Sequence, residues 1–115
     1  MNEQLGLFDY RITVINAHGL TLEQQFAAFH EANPHVYDAL RRLALDAARH
    51  GRKLGIAMLF EVLRWQYAMG TNDPASEFKL NNNYRSFYSR LLMEQEPELA
   101  GYFETRTQTW RTVTQ

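Results

Sequence analysis

The amino-acid sequence predicts a mainly α-helical fold: a compact domain of four helices with minor β-structure at its termini. Apolar residues recur at intervals of three and four in four stretches, which indicates amphipathic helices. Glycine, proline and asparagine residues separate these stretches. The 115 residues, 45% hydrophobic and 22% charged, are typical of one globular domain, so we assign residues 1–115 to a single helical domain.

The beginning of the chain predicts one strand and one helix. Residues 8–14 alternate apolar with polar side chains and are rich in β-branched and aromatic types, as strands are. Thr21 and Gln24 form the Thr-x-x-Gln pattern of a capping box, so the first helix starts at Thr21.

Two longer helices follow in the middle of the chain. Asn33 and Pro34 suit the N-cap and the first residue of the second helix, and Gly51 suits the residue just past its end. The third helix runs from about Gly55 to Met69. Its apolar side chains cover more than one face, so we expect this helix to be central and largely buried. They are Ile56, Met58, Leu59, Phe60, Val62, Leu63, Trp65 and Tyr67.

The last third predicts a fourth helix over residues 81–95, and an extended C-terminal tail over residues 102–115. The order of elements favours a helix-turn-helix or winged-helix-like fold, in which the fourth helix contacts DNA. The connection from Gly70 to Leu80 is longer than the three- or four-residue turn of a true helix-turn-helix, so the motif would be a loose variant.

Charged residues are unevenly distributed, although the net charge is −1. Residues 41–92 hold nine basic and four acidic residues. Residues 1–40 hold one arginine against five acidic residues, and residues 93–115 hold two arginines against four. The chain therefore has a basic middle between acidic ends. We expect contact with a polyanion, such as DNA, to involve the basic middle.

One face of the fourth helix carries residue types that read DNA. In the major groove, arginine pairs with the edge of guanine and asparagine with that of adenine, while a helix N-terminus and nearby cations suit phosphates. Asparagine caps and a solvated helix face would explain the same residues. We expect a DNA-binding regulatory protein, with a homodimer as a further expectation. The predicted reading residues are Asn82, Asn83, Arg85, Ser86, Ser89 and Arg90, and the predicted phosphate contacts are Lys79, Arg52 and Lys53.

The sequence gives little support for other classes of function. No nucleophile motif or phosphate-binding glycine-rich loop is present, cysteine is absent, and His30 and His35 do not have a known zinc spacing. No apolar window approaches the roughly 18 residues that span a bilayer, and the first ten residues do not resemble a signal peptide. We expect no enzymatic activity, no cofactor, no metal, no membrane contact and a cytoplasmic location.

Four stretches resemble a family of small proteins encoded by bacteriophages and prophages. The resemblance extends from Phe26 to Arg106, which is about two-thirds of the chain. The resemblance implies a phage or prophage product acting in the bacterial cytoplasm, where such proteins often bind DNA as regulators or block a host protein. It implies no active-site residue. The stretches are Phe29–Tyr37, Leu59–Trp65, Phe78–Tyr84 and Glu98–Arg106.

The alternative function is inhibition of a host protein, such as a defence or transcription component. A net charge near zero suits a protein-binding module. Aromatic residues make up 13% of the chain and are expected mainly in the core. Any exposed one would indicate a protein interface, for instance Trp110 together with Tyr102.

Overall fold

The computed structural model describes residues 11–70 and 79–103, most of which are helical. Four α-helices follow one another in the predicted order: α1 (Leu22–Ala32), α2 (Pro34–Arg49), α3 (Ile56–Gly70) and α4 (Arg85–Gln95). Short 3-10 helices, Asn82–Tyr84 and Pro97–Leu99, flank α4. The prediction of a mainly α-helical fold is thus confirmed. Within the described ranges, no helix is both long and apolar enough to cross a membrane.

The local sequence accounts for two helix ends. The Thr21 hydroxyl accepts from the Gln24 amide at 3.1 Å, and the Gln24 side chain accepts from the Thr21 amide at 2.9 Å, so the capping box is confirmed. Gly51 has a φ of 71° just past α2. The amides of Gly51 and Arg52 then donate to carbonyls of the last helical turn at 3.0 and 2.8 Å. This is the Schellman pattern, and it favours glycine because a β-carbon strains that backbone conformation.

Asn33 occupies the predicted N-cap position of α2, but its side chain does not cap the helix. The residue is fully buried. Its Oδ1 accepts from the Thr13 amide at 2.7 Å, and its Nδ2 donates to the Thr13 carbonyl at 2.9 Å and the Phe29 carbonyl at 3.1 Å. Asn33 therefore ties the segment before α1 to the junction between α1 and α2.

The core lies where α2, α3 and α4 meet, and α1 and the 3-10 helix Pro97–Leu99 pack against α2. Each fully buried leucine or aromatic side chain there contributes about 1.5–3 kcal/mol relative to an exposed one. The largest apolar side chains with almost no exposed surface are Val36, Leu40, Leu59, Phe60, Leu63, Tyr88, Leu92 and Leu99.

The predicted β-structure is not found among the described residues at either terminus. Residues 11–14 form no strand, because the backbone of Thr13 pairs with the Asn33 amide group instead of a neighbouring strand. Tyr102 and Phe103 do not begin an extended tail, since Phe103 is buried in the core and Tyr102 packs against it. The rest of both predictions, residues 8–10 and 104–115, lies outside the described residues.

The prediction that α3 is largely buried is wrong. Its buried residues, Leu59, Phe60, Leu63 and Tyr67, lie on the side that faces α2 and α4. Of the residues expected to broaden this face, Met58 and Trp65 are exposed and Val62 is half-buried, because the described helices contact α3 on one side only. The solvent-exposed fractions of Met58, Trp65 and Met69 are 53%, 63% and 65%.

The helix-turn-helix arrangement stays a prediction. The helices α3 and α4 pack against each other. Residues 71–78, which form most of the connection between them, lie outside the described residues.

Candidate functional site

A cleft of about 650 Å³ opens between the start of α3, the first half of α4 and the residues that follow the last 3-10 helix. We refer to it as the α3–α4 cleft. The residues that line it are Lys53, Leu54, Gly55, Ile56, Ala57, Asn82, Asn83, Arg85, Ser86, Ser89, Tyr102 and Phe103.

The cleft brings together six of the nine residues that the sequence singled out for DNA binding. They come from two segments about thirty positions apart, and only the packing of α3 against α4 makes them neighbours. The six are Lys53, Asn82, Asn83, Arg85, Ser86 and Ser89.

The other three predicted residues are not among those that line the cleft. Arg52 and Lys79 are both exposed. Arg52 precedes the cleft residue Lys53, and Lys79 lies three positions before the cleft residue Asn82. The guanidinium of Arg90 lies over the ring of Phe87, 5.0 Å from the ring centroid. This cation–π contact holds Arg90 against its own helix, away from the cleft side of α4.

Several polar groups of the cleft are already used within the protein. Ser89 is buried, and its hydroxyl donates to the Ser86 carbonyl at 3.0 Å. The Asn82 side chain accepts from Arg64, and Arg85 Nε donates to the Asn82 carbonyl at 3.1 Å. Asn83 and Ser86 remain exposed. A bound molecule would thus meet Asn83, Ser86 and the outer nitrogens of Arg85 more readily than Ser89.

Arg64 positions the start of the α4 segment. Its guanidinium donates to the Leu80 carbonyl at 2.8 Å as well as to Asn82, and it pairs with Glu61 at 2.6 Å. The bonds to Leu80 and Asn82 connect the middle of α3 to the turn before α4. Nothing in the sequence indicated this role, because Arg64 and Asn82 are separated by eighteen positions.

Tyr102 forms the opposite wall of the cleft. Its hydroxyl accepts from the Leu54 amide at 2.9 Å and donates to the Arg52 carbonyl at 2.9 Å. The two bonds hold the segment between α2 and α3 against the end of the described chain. From the sequence, Tyr102 was an interface candidate. No local pattern indicated this contact, because it joins residues about fifty positions apart.

The electrostatic character of the cleft is positive. Lys53 and Arg85 line it, and none of the lining residues within the described ranges is acidic. The first turn of α3 also faces it through Gly55, Ile56 and Ala57. The Leu59 amide donates to the Gly55 carbonyl at 3.2 Å, which places Gly55 at the N-cap. Glycine has no side chain to cap the amides that follow, so these add partial positive charge.

A separate aromatic cluster lies where α1, α2 and α4 meet. The ring of Tyr88 contacts Phe26 edge to face at 4.8 Å, and the ring of His30 stacks on Phe26 at 5.8 Å. His30 Nδ1 and the Tyr88 hydroxyl are buried and have no hydrogen-bond partner among residues 11–70 and 79–103. Burial lowers the pKa of His30 and raises the pKa of the Tyr88 hydroxyl.

The histidines do not form a metal site in the described part of the chain, where no three histidine, aspartate or glutamate residues are grouped as ligands.

Comparison with protein-family models, with curated proteins and with solved structures found no match for this chain.

Proposed function

We propose that this protein binds DNA and that the α3–α4 cleft holds backbone phosphates, as a small phage-type regulatory protein would. One observation carries the proposal: the cleft combines Lys53, Arg85 and the start of α3, with no acidic side chain among its described lining residues. That combination is notable in a chain whose net charge is −1. Local concentration of positive charge, and not net charge, is what a phosphate contact requires.

The proposed phosphate position lies before the first turn of α3. Amides in the first turn of a helix have no acceptor within the helix, so they can donate to an anion. Arg85 can pair with two phosphate oxygens at once, and Lys53 adds a second positive charge. Asn83 and Ser86 are exposed beside them and can donate to phosphate or sugar oxygens.

This arrangement supports phosphate contact more strongly than base reading by the whole face of α4. A recognition helix must protrude into the major groove, whereas this face of α4 borders a concave surface. Ser89 is buried and the Asn82 side chain is bound to Arg64. Base contacts, if the helix-turn-helix prediction holds, would fall to Arg85, Asn83 and Ser86.

The substitution Ala57→Glu tests the proposal without weakening α3. Ala57 is exposed, lines the cleft and lies in the first turn of α3, where a glutamate is favourable for the helix dipole. A carboxylate there repels phosphate. We expect affinity for a mixed-sequence duplex, measured by fluorescence anisotropy at low salt, to fall at least about tenfold.

The matched control is Ala27→Glu, which adds the same charge at an exposed position of α1 that is not among the cleft residues. Equal loss of affinity in both variants would show that only net charge matters and would overturn the assignment of the cleft. Failure of the wild-type protein to bind duplex DNA even at low salt would overturn the proposed function, and inhibition of a host protein would then be the function to test.

The salt dependence of binding separates a phosphate contact from other effects. Arg85→Ala should reduce the slope of log affinity against log salt by about one, because one fewer counterion is released. Arg42→Ala removes an exposed arginine of α2 that does not line the cleft. It should leave the slope unchanged, and a slope change of the same size in both variants would contradict the role of Arg85.

A further inference from the structure

The exposed side of α3 carries a continuous apolar stripe. Met58, Val62, Trp65 and Met69 are separated by four, three and four residues, so all four lie within one narrow sector of the helix. Three of them are exposed over more than half of their surface, and Val62 is half-buried. We call this feature the α3 stripe.

Two properties set the α3 stripe apart from scattered exposed side chains. It contains the largest exposed apolar side chain of the described residues, Trp65, together with two methionines that can adapt their shape to a partner. Glu61, which precedes Val62 on α3, is paired with Arg64 at 2.6 Å. Burial of the stripe would therefore not leave an unpaired carboxylate.

We propose that a second copy of this chain covers the α3 stripe, with the two α3 helices packed antiparallel about a twofold axis. The spacing of four, three and four reads the same in both directions along the helix. An antiparallel pairing therefore places Met58 opposite Met69, and the small Val62 opposite the large Trp65, on both sides of the axis. A twofold interface requires this kind of self-complementary patch, and a four-and-three spacing is that of helix pairs packed side by side.

The area of the α3 stripe suits a reversible dimer. From their exposed fractions, Met58, Trp65 and Met69 offer about 400 Å² per copy, so two copies bury about 800 Å² before neighbouring side chains are added. That total is below the roughly 1,200 Å² of stable specific interfaces, so the interface is of the weak, reversible kind. The inference does not depend on DNA binding, because the α3 stripe and the α3–α4 cleft share no residue.

The test measures the mass of the full chain by sedimentation at protein concentrations from about 1 μM to about 200 μM. The wild-type mass should rise from 13.5 kDa toward twice that value. Trp65→Glu should weaken association at least about 30-fold. Val14→Glu, at an apolar residue that is 77% exposed and lies outside the stripe, should associate like the wild type.

Tryptophan fluorescence identifies the surface involved. The chain has two tryptophans, so Trp110→Phe leaves Trp65 as the sole reporter. Its emission should shift to shorter wavelength as the concentration rises and the mass increases. A mass of 13.5 kDa at every concentration would overturn the proposal, as would unchanged association of Trp65→Glu. A monomer whose Trp65 emission is already at short wavelength would show that another occupant covers the stripe.

Discussion

Replacement of Asn33 by alanine tests the contact that joins the first described residues to the helices. Asn33 is fully buried, and its side chain makes three hydrogen bonds, two to the backbone of Thr13 and one to the Phe29 carbonyl. Residues 11–14 form no strand, so these bonds replace the pairing that a strand would have provided. Alanine keeps the backbone and removes all three.

The expected loss follows from the surroundings of each bond. A typical intramolecular hydrogen bond contributes about 1 kcal/mol net, which suggests about 3 kcal/mol for the three. The Phe29 carbonyl still accepts from the Asn33 amide at 2.8 Å after the change, and Thr13 is exposed, so water can reach its freed groups. We therefore expect a decrease of about 2 kcal/mol in the free energy of unfolding, a large part of the 5–15 kcal/mol of a small domain.

Urea unfolding followed by far-ultraviolet circular dichroism measures this decrease. The matched control is Asn16→Ala, because Asn16 is exposed and its side chain makes only a local bond, accepting from the His18 amide at 3.1 Å. It should change the free energy of unfolding by no more than about 0.5 kcal/mol. A loss in Asn33→Ala no larger than that of the control would refute the reasoning that Asn33 holds the segment in place.

Two further predictions concern tyrosine and histidine side chains. Tyr88→Phe should leave the free energy of unfolding unchanged or slightly raised, because the buried Tyr88 hydroxyl has no partner among the described residues. Tyr102→Phe should lower the free energy of unfolding by about 1–2 kcal/mol, because it removes two hydrogen bonds. A larger loss in Tyr88→Phe than in Tyr102→Phe would contradict this reasoning. Burial lowers the pKa of His30, so the unfolded chain binds a proton first as pH falls, and stability decreases below about pH 6.5. Urea unfolding at pH 7.5 and pH 5.5 should show a smaller decrease in His30→Phe than in the wild type, and equal decreases would exclude His30 as the cause.

Part of the candidate site was predictable from residue types. Lysine, arginine and asparagine near the start of the fourth helix indicated phosphate and base contacts, and six of the nine residues line one cleft. The sequence could not indicate which of them are already bonded within the protein. The Ser89 hydroxyl donates to the Ser86 carbonyl of its own helix. Asn82 is held by Arg64, a contact that depends on how α3 and α4 approach each other.

Local sequence patterns predicted the four helices and several of their ends. The capping box at Thr21, Pro34 at the start of α2 and Gly51 after its end act through backbone groups within a few residues, so their effect can be read locally. The tertiary structure alone decided which face of α3 is buried, and left Trp65 exposed although its spacing also suited the core. It also decided that Asn33 bonds to Thr13 instead of capping α2. Burial and long-range hydrogen bonds depend on which distant segments meet, and no local pattern in the chain carries that information.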